Sequence, residues 1–307
     1  MTKPALFPDG HFYSPVVDSD EVVADKDRIW SGTRTVPGVD LNHASHQRLL
    51  KRWFPRLMVD YDYPEDGPED ARLEHFYERN TQFESLDSRT LFCMLRLIQP
   101  KKIIEVGSGY STLLMADVNS RFLAGKVQIT CIEPYPRPFL NKASTEGRIG
   151  LIEKRAQDVD LDMFKSLGEG DILFIDSSHV SKTGSDVNRM LLEVLPVLAP
   201  GVYVHVHDIF LPADYPMEWV IEQNRCWNEQ YVMQAFLAFN SKFRIVFGCA
   251  LAVINHEEAV RDLFDGRLLG GGSLWLRREP QGGLLHALFR IGRRHAARLA
   301  RRGYYHP

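Results

Sequence analysis

The sequence predicts an α/β fold built on an open, doubly wound and mostly parallel sheet. An apolar strand at 102–106 runs into a glycine turn and then into a helix that begins near Ser111. Two later apolar runs, 171–176 and 202–208, each end in an acidic residue. Continuous apolar strands of this length are typical of a parallel sheet that helices cover on both faces. Helical periodicity between the strands completes the pattern.

The individual elements follow from periodicity and from turn residues. Leu91, Leu95 and Ile98 share one helical face, and Pro100 marks the end of that helix. The predicted helices are 85–98, the one beginning at 111, 186–198, 228–239 and 257–264. The predicted strands are 102–106, 127–133, 149–153, 171–176, 202–208, 243–247 and 273–277.

The glycine turn after the first strand indicates a ligand site. Gly107 and Gly109 let the backbone approach a ligand, and the free N–H groups of the following helix face the same place. A dinucleotide fingerprint needs a third glycine at position 112, where this chain has Thr112. Glu133 stands about 20 to 30 residues beyond the glycines. A carboxylate at this position holds the ribose of a nucleoside-containing cofactor, so Glu133 does not by itself identify which cofactor is bound. The alternative is a turn that only joins strand to helix.

Polar side chains follow the fourth and fifth strands. Asp176 and His179 come after one, and His207 and Asp208 after the other. Ligands bind at the carboxyl ends of the strands in such sheets, so we expect these four side chains in one cleft. Carboxylates with imidazole suit a divalent metal, and a histidine beside it can act as general base. The alternative for His179 is a loop histidine without a role.

The acid and glycines at 105–109 resemble the first motif of class I S-adenosylmethionine (SAM) methyltransferases. In that family the acid lies near the methionine end of the cofactor, and Ser111 stands at the motif's third small position. The resemblance implies that SAM is held by Glu105, Gly107, Ser108, Gly109, Ser111 and Glu133. It also implies that Asp158 contacts the adenine amino group. The alternative for Asp176, if no metal is bound, is to face the methionine group of SAM.

The segment 174–179, with Asp186 and the later pair His207-Asp208, resembles the metal-dependent macrolide-sugar O-methyltransferases. The resemblance is strongest over 103–210 and extends over roughly 85–255. It implies a bound Mg²⁺ or other divalent ion with Asp176 and Asp208 as ligands, and His179 as the base. His207 stands where that family has a carboxylate, and we include it as a further candidate ligand.

The resemblance also implies a Rossmann-like sheet of seven strands, the seventh antiparallel. We expect an N-terminal extension or lid at 1–80, a SAM-binding methyltransferase domain at 81–279 and a basic amphipathic tail at 280–307. The extension is either a lid or an arm that packs over one sheet edge. The segment 210–219 is either a substrate-facing wall or a rigid loop with a core Trp219.

Composition narrows the classes of function. With 44% hydrophobic and 25% charged residues and a net charge of −3, the chain is an ordinary globular protein without a global signal for nucleic acid. Four scattered cysteines and the lack of a signal-peptide pattern predict a cytoplasmic protein. The arginine-rich tail predicts contact with an anionic membrane surface, an acidic partner or another subunit, or simply a docked helix.

These observations and the resemblance predict SAM-dependent O-methylation of a small hydroxylated acceptor. The resemblance alone implies that this acceptor is a sugar or a glycan-linked hydroxyl. A nicotinamide-dependent oxidoreductase would use the same turn and Glu133. A protein that binds SAM without catalysis is the third reading.

Overall fold

The structure, a computed structural model, describes residues 4–31, 35–69 and 72–280. The basic tail predicted at 280–307 lies almost wholly outside the described residues. No helix among those that are described has the length and apolarity needed to cross a membrane.

Seven strands form one sheet in the order β3-β2-β1-β4-β5-β7-β6. The strands are β1 (Lys102–Val106), β2 (Gln128–Ile132), β3 (Gly150–Ile152), β4 (Ile172–Ile175), β5 (Tyr203–Val206), β6 (Phe243–Gly248) and β7 (Leu274–Arg278). The pairs among β1 to β5 are parallel, and β7 is antiparallel to both of its neighbours. The predicted seven-stranded, mostly parallel α/β fold is confirmed.

Helices cover both faces of the sheet. They are α1 (Ser19–Ala24), α2 (Lys26–Ile29), α3 (His43–Arg48), α4 (Phe54–Met58), α5 (Ser85–Ile98), α6 (Tyr110–Phe122), α7 (Pro138–Thr145), α8 (Leu161–Lys165), α9 (Asp186–Asn188), α10 (Leu195–Val197), α11 (Met217–Ile221), α12 (Glu229–Leu237), α13 (Cys249–Asn255) and α14 (Glu257–Leu263). Two π-helical segments, Leu49–Trp53 and Arg189–Val194, join α3 to α4 and α9 to α10.

Alternation along the strands divides the core into two clusters. Ile103 of β1 and Phe174 of β4 belong to one cluster, and Ile104 and Ile175 to the other. Successive side chains of a strand point to opposite faces, so each strand contributes to both clusters. The apolar runs in the sequence therefore correspond to strands buried on both sides.

The N-terminal region packs onto this core, and its contribution to the core is larger than the sequence predicted. Leu50, Phe54 and Phe76 are fully buried in the same cluster as α5 and α6. Helices α3 and α4, like α13, were not among the predicted elements, because short helices show too little periodicity to be recognised. Part of 1–80 therefore belongs to the core, while the lid, the packing arm over a sheet edge and the domain boundaries stay predictions.

The register of the parallel strands places their ends at one edge. Val106 pairs with Ile132 and with Ile175, and Ile175 pairs with Val206. The residues that follow these four are therefore neighbours in space. They are Gly107, Glu133, Asp176 and His207.

Candidate active site

The turn after β1 requires glycine at its first position. Gly107 has φ +76°, and a Cβ there would lie 1.7 Å from the carbonyl oxygen of Asp176. The Asp176 N–H donates to the carbonyl of Val106 at 2.8 Å, and the Gly107 N–H donates to that of Ile132 at 3.0 Å. The turn thus brings the ends of β1 and β4 into direct backbone contact.

Glu105 supports this turn from below and does not face a ligand cavity. Its side chain is fully buried and accepts hydrogen bonds from the hydroxyls of Ser111 (2.6 Å) and Thr112 (2.5 Å). Thr112 also accepts the Gly109 N–H at 3.1 Å, which gives its hydroxyl a role that a third glycine would not supply. Burial raises the pKa of Glu105 to about 7 despite these hydrogen bonds. Glu105 does not line the cavities described below, so the structure does not support its expected contact with the cofactor. Its carboxylate instead stabilises the start of α6 through these hydrogen bonds.

Two adjoining cavities, of 490 and 230 Å³, lie over the turn and share Gly107, Glu133, Tyr135 and Asp176. Predicted residues Ser108, Gly109 and Ser111 line the smaller one. The Glu133 carboxylate accepts the N–H groups of Ser108 (3.1 Å) and Tyr135 (2.9 Å), one on each oxygen. These contacts orient the carboxylate at the boundary of the two cavities. A ribose held there would reach both.

Asp158 is not brought into these cavities. Its carboxylate forms two hydrogen bonds with Arg155, at 2.8 and 2.9 Å, and this pair lowers the pKa of Asp158. The neighbouring Ala156 and Gln157 line the larger cavity instead. Asp158 ends the short 3₁₀ turn at Ala156–Asp158 but does not line the larger cavity, so this geometry does not support its predicted contact with adenine.

A third cavity, of 590 Å³, adjoins the first two and contains the predicted reactive residues. It is lined by Asp176, His179, His207 and Asp208. The Nε2 atom of His179 lies 3.3 Å from Asp176 Oδ1 and 3.6 Å from Asp208 Oδ2. His207 Nε2 lies 3.6 Å from Asp208 Oδ1. The structure thus brings all four residues together, as the strand ends predicted.

His179 is held in place by a residue that the sequence did not indicate. Its Nδ1 atom lies 3.0 Å from Oε2 of Glu229, a fully buried acid at the start of α12. The carbonyl of His179 accepts the N–H groups of Asn228 (3.1 Å) and Glu229 (3.2 Å), and its ring packs on Trp227 at 4.3 Å. The sequence offered one local indication of Glu229: it is an acid directly after Asn228, at the start of a predicted helix. Nothing local linked it to a histidine 50 residues earlier.

The ionisation of the cluster is dominated by this arrangement. Burial disfavours a charged imidazole, but hydrogen bonds with Asp176 and Glu229 raise the pKa of His179 to about 10. Burial by itself would raise the pKa of Asp176, but His207 and His179 hold that pKa below its usual range. Burial raises the pKa of both Asp208 and Glu229. Without ligands, His179 is therefore an imidazolium among carboxylates.

The backbone at the site is constrained by a glycine segment. Both His179 (φ +58°) and Asp208 (φ +55°) adopt left-handed conformations that are uncommon for residues with a Cβ. A Cβ at Gly272 would lie 2.9 Å from the Cα of Asp208. Asp87 accepts the N–H groups of Gly272 (3.0 Å) and Ser273 (2.7 Å) and so fixes this segment. Such strain, held by surrounding contacts, is a common feature of functional sites.

His205, on β5, is a core residue. It is fully buried, its Nε2 atom lies 2.9 Å from the hydroxyl of Ser273, and its ring stacks on Phe174 at 3.7 Å. Burial lowers the pKa of His205 well below its usual range. It therefore supports the sheet and does not reach the cavity.

The side chains of this cluster are of chemical types that suit a divalent ion, but their positions in the structure do not form a site for one. Asp176, Asp208 and His207 offer carboxylate oxygens and an imidazole, and Nδ1 of His207 is buried without a hydrogen-bond partner. However, the His179 imidazole occupies the space between the two carboxylates. Within the described ranges, no group of three or more His, Cys, Asp or Glu side chains is placed to hold a metal ion.

The same edge of the sheet is where the chain matches known proteins. Residues 104–209 match the family described as a methyltransferase domain. This segment begins in β1 and ends after β5, so it contains the glycine turn and the reactive cluster. An uncharacterized protein from Archaeoglobus fulgidus is 38% identical over 186 residues, which are 58% of this chain and 82% of that protein.

Solved structures align with this chain at low sequence identity and low TM-score. A methyltransferase from Geobacter sulfurreducens aligns over 87% of this chain and 98% of its own, with 14% identity and a TM-score of 0.40. A cmcI structure with Mg and SAM aligns over 71% of this chain and 88% of its own, with 19% identity and a TM-score of 0.39. At these TM-scores the two structures add nothing to the assignment of chemistry.

Proposed function

Because this chain belongs to the class I SAM-dependent methyltransferase family, we propose that it transfers the methyl group of SAM to a hydroxyl oxygen of a small acceptor. The acceptor class we propose is a sugar or a glycan-linked hydroxyl. In the reaction the sulfur–methyl bond breaks, an oxygen–methyl bond forms and S-adenosylhomocysteine leaves. The hydroxyl proton passes to a base on the protein.

One observation carries the proposal: Asp176 borders both cofactor cavities and the cavity that contains His179. A methyl donor over the glycine turn and a hydroxyl beside His179 would therefore meet at this carboxylate. The protein's contribution would be largely position and electrostatics.

The role of His179 as base requires a change in its surroundings. A base must be neutral, whereas Asp176 and Glu229 raise the pKa of His179 to about 10 after the opposing effect of burial. The sulfonium of SAM is a cation, and beside Asp176 it would compete with the imidazolium for that carboxylate. Binding of the cofactor would then lower the pKa of His179 toward the range where it accepts a proton.

A divalent ion forms a separate part of the proposal. The resemblance implies Asp176 and Asp208 as its ligands, with His207 as a further candidate. A bound ion would supply positive charge that orients the acceptor hydroxyl and increases its acidity.

The sugar as acceptor follows from the family resemblance and agrees with the wall of the third cavity. Phe210, Trp219 and Trp227 line it. Aromatic faces of this kind pack against the apolar face of a sugar ring while hydroxyl groups reach the acids opposite. These three residues support the interpretation of the segment that contains Phe210 and Trp219 as a substrate-facing wall.

Calorimetric titration with SAM, S-adenosylhomocysteine and NAD, with Mg²⁺ or with EDTA, tests the cofactor. We expect micromolar binding of the first two and none of NAD, and the reverse pattern would overturn the proposal. Release of S-adenosylhomocysteine is then measured with a panel of glycosides. His179→Ala should retain SAM binding and lose about 100-fold or more of the rate, whereas the exposed His43→Ala should match the unmodified protein. Full turnover by His179→Ala would exclude the histidine as base.

A further inference from the structure

We propose that the acceptor carries an anionic group beside the hydroxyl that is methylated, and that Arg225 binds this group. The inference rests on the proposed function, because it concerns the acceptor of the same site. It narrows the acceptor from a hydroxylated ring to a hydroxylated ring that bears a carboxylate or a phosphate.

Arg225 is fixed in the wall of the third cavity by two indole rings. Its guanidinium carbon lies 4.1 Å from the ring centre of Trp219 and 4.7 Å from that of Trp227. The two indoles are 5.3 Å apart and nearly perpendicular, at 78°. The backbone N–H of Arg225 also donates a hydrogen bond to the backbone carbonyl of Trp219 at 2.8 Å. Stacking of this kind holds a guanidinium plane in one place while its N–H groups stay available to a ligand.

No acidic side chain among the described residues neutralises the charge of Arg225. Other partly buried arginines have acidic partners, such as Glu78 for Arg89 and Asp60 for Arg96. Across the residues that the structure describes, no carboxylate forms an ion pair or a hydrogen bond with the Arg225 guanidinium. A half-buried cation with a fixed plane and no acidic partner is suited to bind an anion, because a guanidinium matches carboxylate and phosphate oxygens two at a time.

The position of Arg225 relates it to the reacting hydroxyl. Trp227 packs on the His179 ring at 4.3 Å and on the guanidinium at 4.7 Å, so one indole separates the base from the cation. Both groups line the same cavity. A ligand that contacts both therefore has its hydroxyl and its anionic group about one six-membered ring apart.

Charge along the cavity sets the direction of binding. Asp176, Asp208 and Glu84 lie on the cavity lining and would repel an anion, whereas Arg225 attracts it. The neutral hydroxyl is thus directed to the acids and the anionic group to the arginine. Uronic acids and sugar phosphates have the required combination of groups.

The test is a binding experiment that needs no turnover. The protein is saturated with S-adenosylhomocysteine and titrated with an aryl glucuronide, with glucose 6-phosphate and with the corresponding aryl glucoside, by calorimetry and tryptophan fluorescence. We expect at least one of the two anions to bind about tenfold or more tightly than the neutral glucoside. Which anion binds more tightly distinguishes a carboxylate acceptor from a phosphate acceptor.

Variants assign the preference to Arg225. Arg225→Gln should bind the anions and the glucoside equally, and Arg225→Lys should keep part of the preference. Arg261→Gln, on α14 and paired with Glu257, should behave as the unmodified protein. The inference is overturned if neither anion binds more tightly than the glucoside, or if the preference survives in Arg225→Gln.

Two features keep the outcomes distinct. The comparison of ligands on the unmodified protein is decisive even if Arg225→Gln does not fold. Binding of S-adenosylhomocysteine is measured first on the same samples. If S-adenosylhomocysteine does not bind, the proposed function is contradicted. The anion titration is then repeated without cofactor, and its result tests the role of Arg225 separately.

Discussion

An added methyl group at Gly107 should disrupt both the fold and cofactor binding, and the structure allows the cost to be worked out. The Cβ of Gly107→Ala would lie 1.7 Å from the Asp176 carbonyl oxygen, half the 3.4 Å at which ordinary contact begins. The ends of β1 and β4 must separate, which strains the two backbone hydrogen bonds at Val106 and Ile132. Each hydrogen bond contributes about 1 kcal/mol, and overpacking costs about 1–3 kcal/mol.

Gly147 offers a matched control. Its φ of +73° is nearly the same as the +76° of Gly107, but a Cβ there meets nothing within 4 Å. Gly147→Ala therefore carries only the left-handed strain of about 1–2 kcal/mol. We expect Gly107→Ala to be less stable than Gly147→Ala by about 3 kcal/mol.

Urea denaturation of both variants measures this difference, and calorimetry measures their affinity for SAM. Gly107→Ala should also lose SAM binding, because the displaced turn lines both cofactor cavities. If the two variants unfold within about 1 kcal/mol of each other, the close approach of Gly107 to Asp176 does not exist in solution and the reasoning is refuted.

Three further predictions concern single side chains. Glu133→Gln should weaken SAM binding about tenfold in calorimetry because a charge-assisted contact is lost, while Glu153→Gln, outside the cavities, should not; equal affinities would remove Glu133 from the site. Glu229→Gln should lower kcat about 10- to 100-fold at unchanged KM for SAM, because His179 loses the group that orients it, and an unchanged kcat would show that this contact is only structural. Burial lowers the pKa of His46 to about 4, so the unfolded chain binds more protons between this value and 6.5, and stability falls as pH drops through that window. Between pH 7 and pH 5 the unmodified protein should therefore lose about 2 kcal/mol more stability in urea denaturation than His46→Gln does.

Much of the fold was available in the sequence because its signals are local. Helix α5 was predicted at the bounds that the structure shows, and the strand ends differ by one or two residues. Apolar runs buried on both faces, with an acid or glycine directly after them, need no knowledge of distant residues. The short helices α3, α4 and α13 carry no such periodicity, and their packing on the core comes from tertiary contacts.

The candidate site divides along the same line. Asp176, His179, His207 and Asp208 were predictable because parallel strands in register end at a common edge. The partners of a polar side chain at or near the end of a strand were not predictable, since they depend on backbone conformation and on neighbouring segments. Glu105 turns beneath the glycine turn, and this is decided by its hydrogen bonds with Ser111 and Thr112.

The sequence by itself determined the sheet, the edge where ligands bind and the chemical types assembled there. Only the tertiary structure decided which partners those groups have. Glu229 meets His179 across 50 residues of chain, and Trp219 and Trp227 enclose Arg225 through a loop with no regular period. Local patterns record what one segment prefers, whereas burial, ion pairing and the resulting pKa values arise when segments distant in sequence exclude water together.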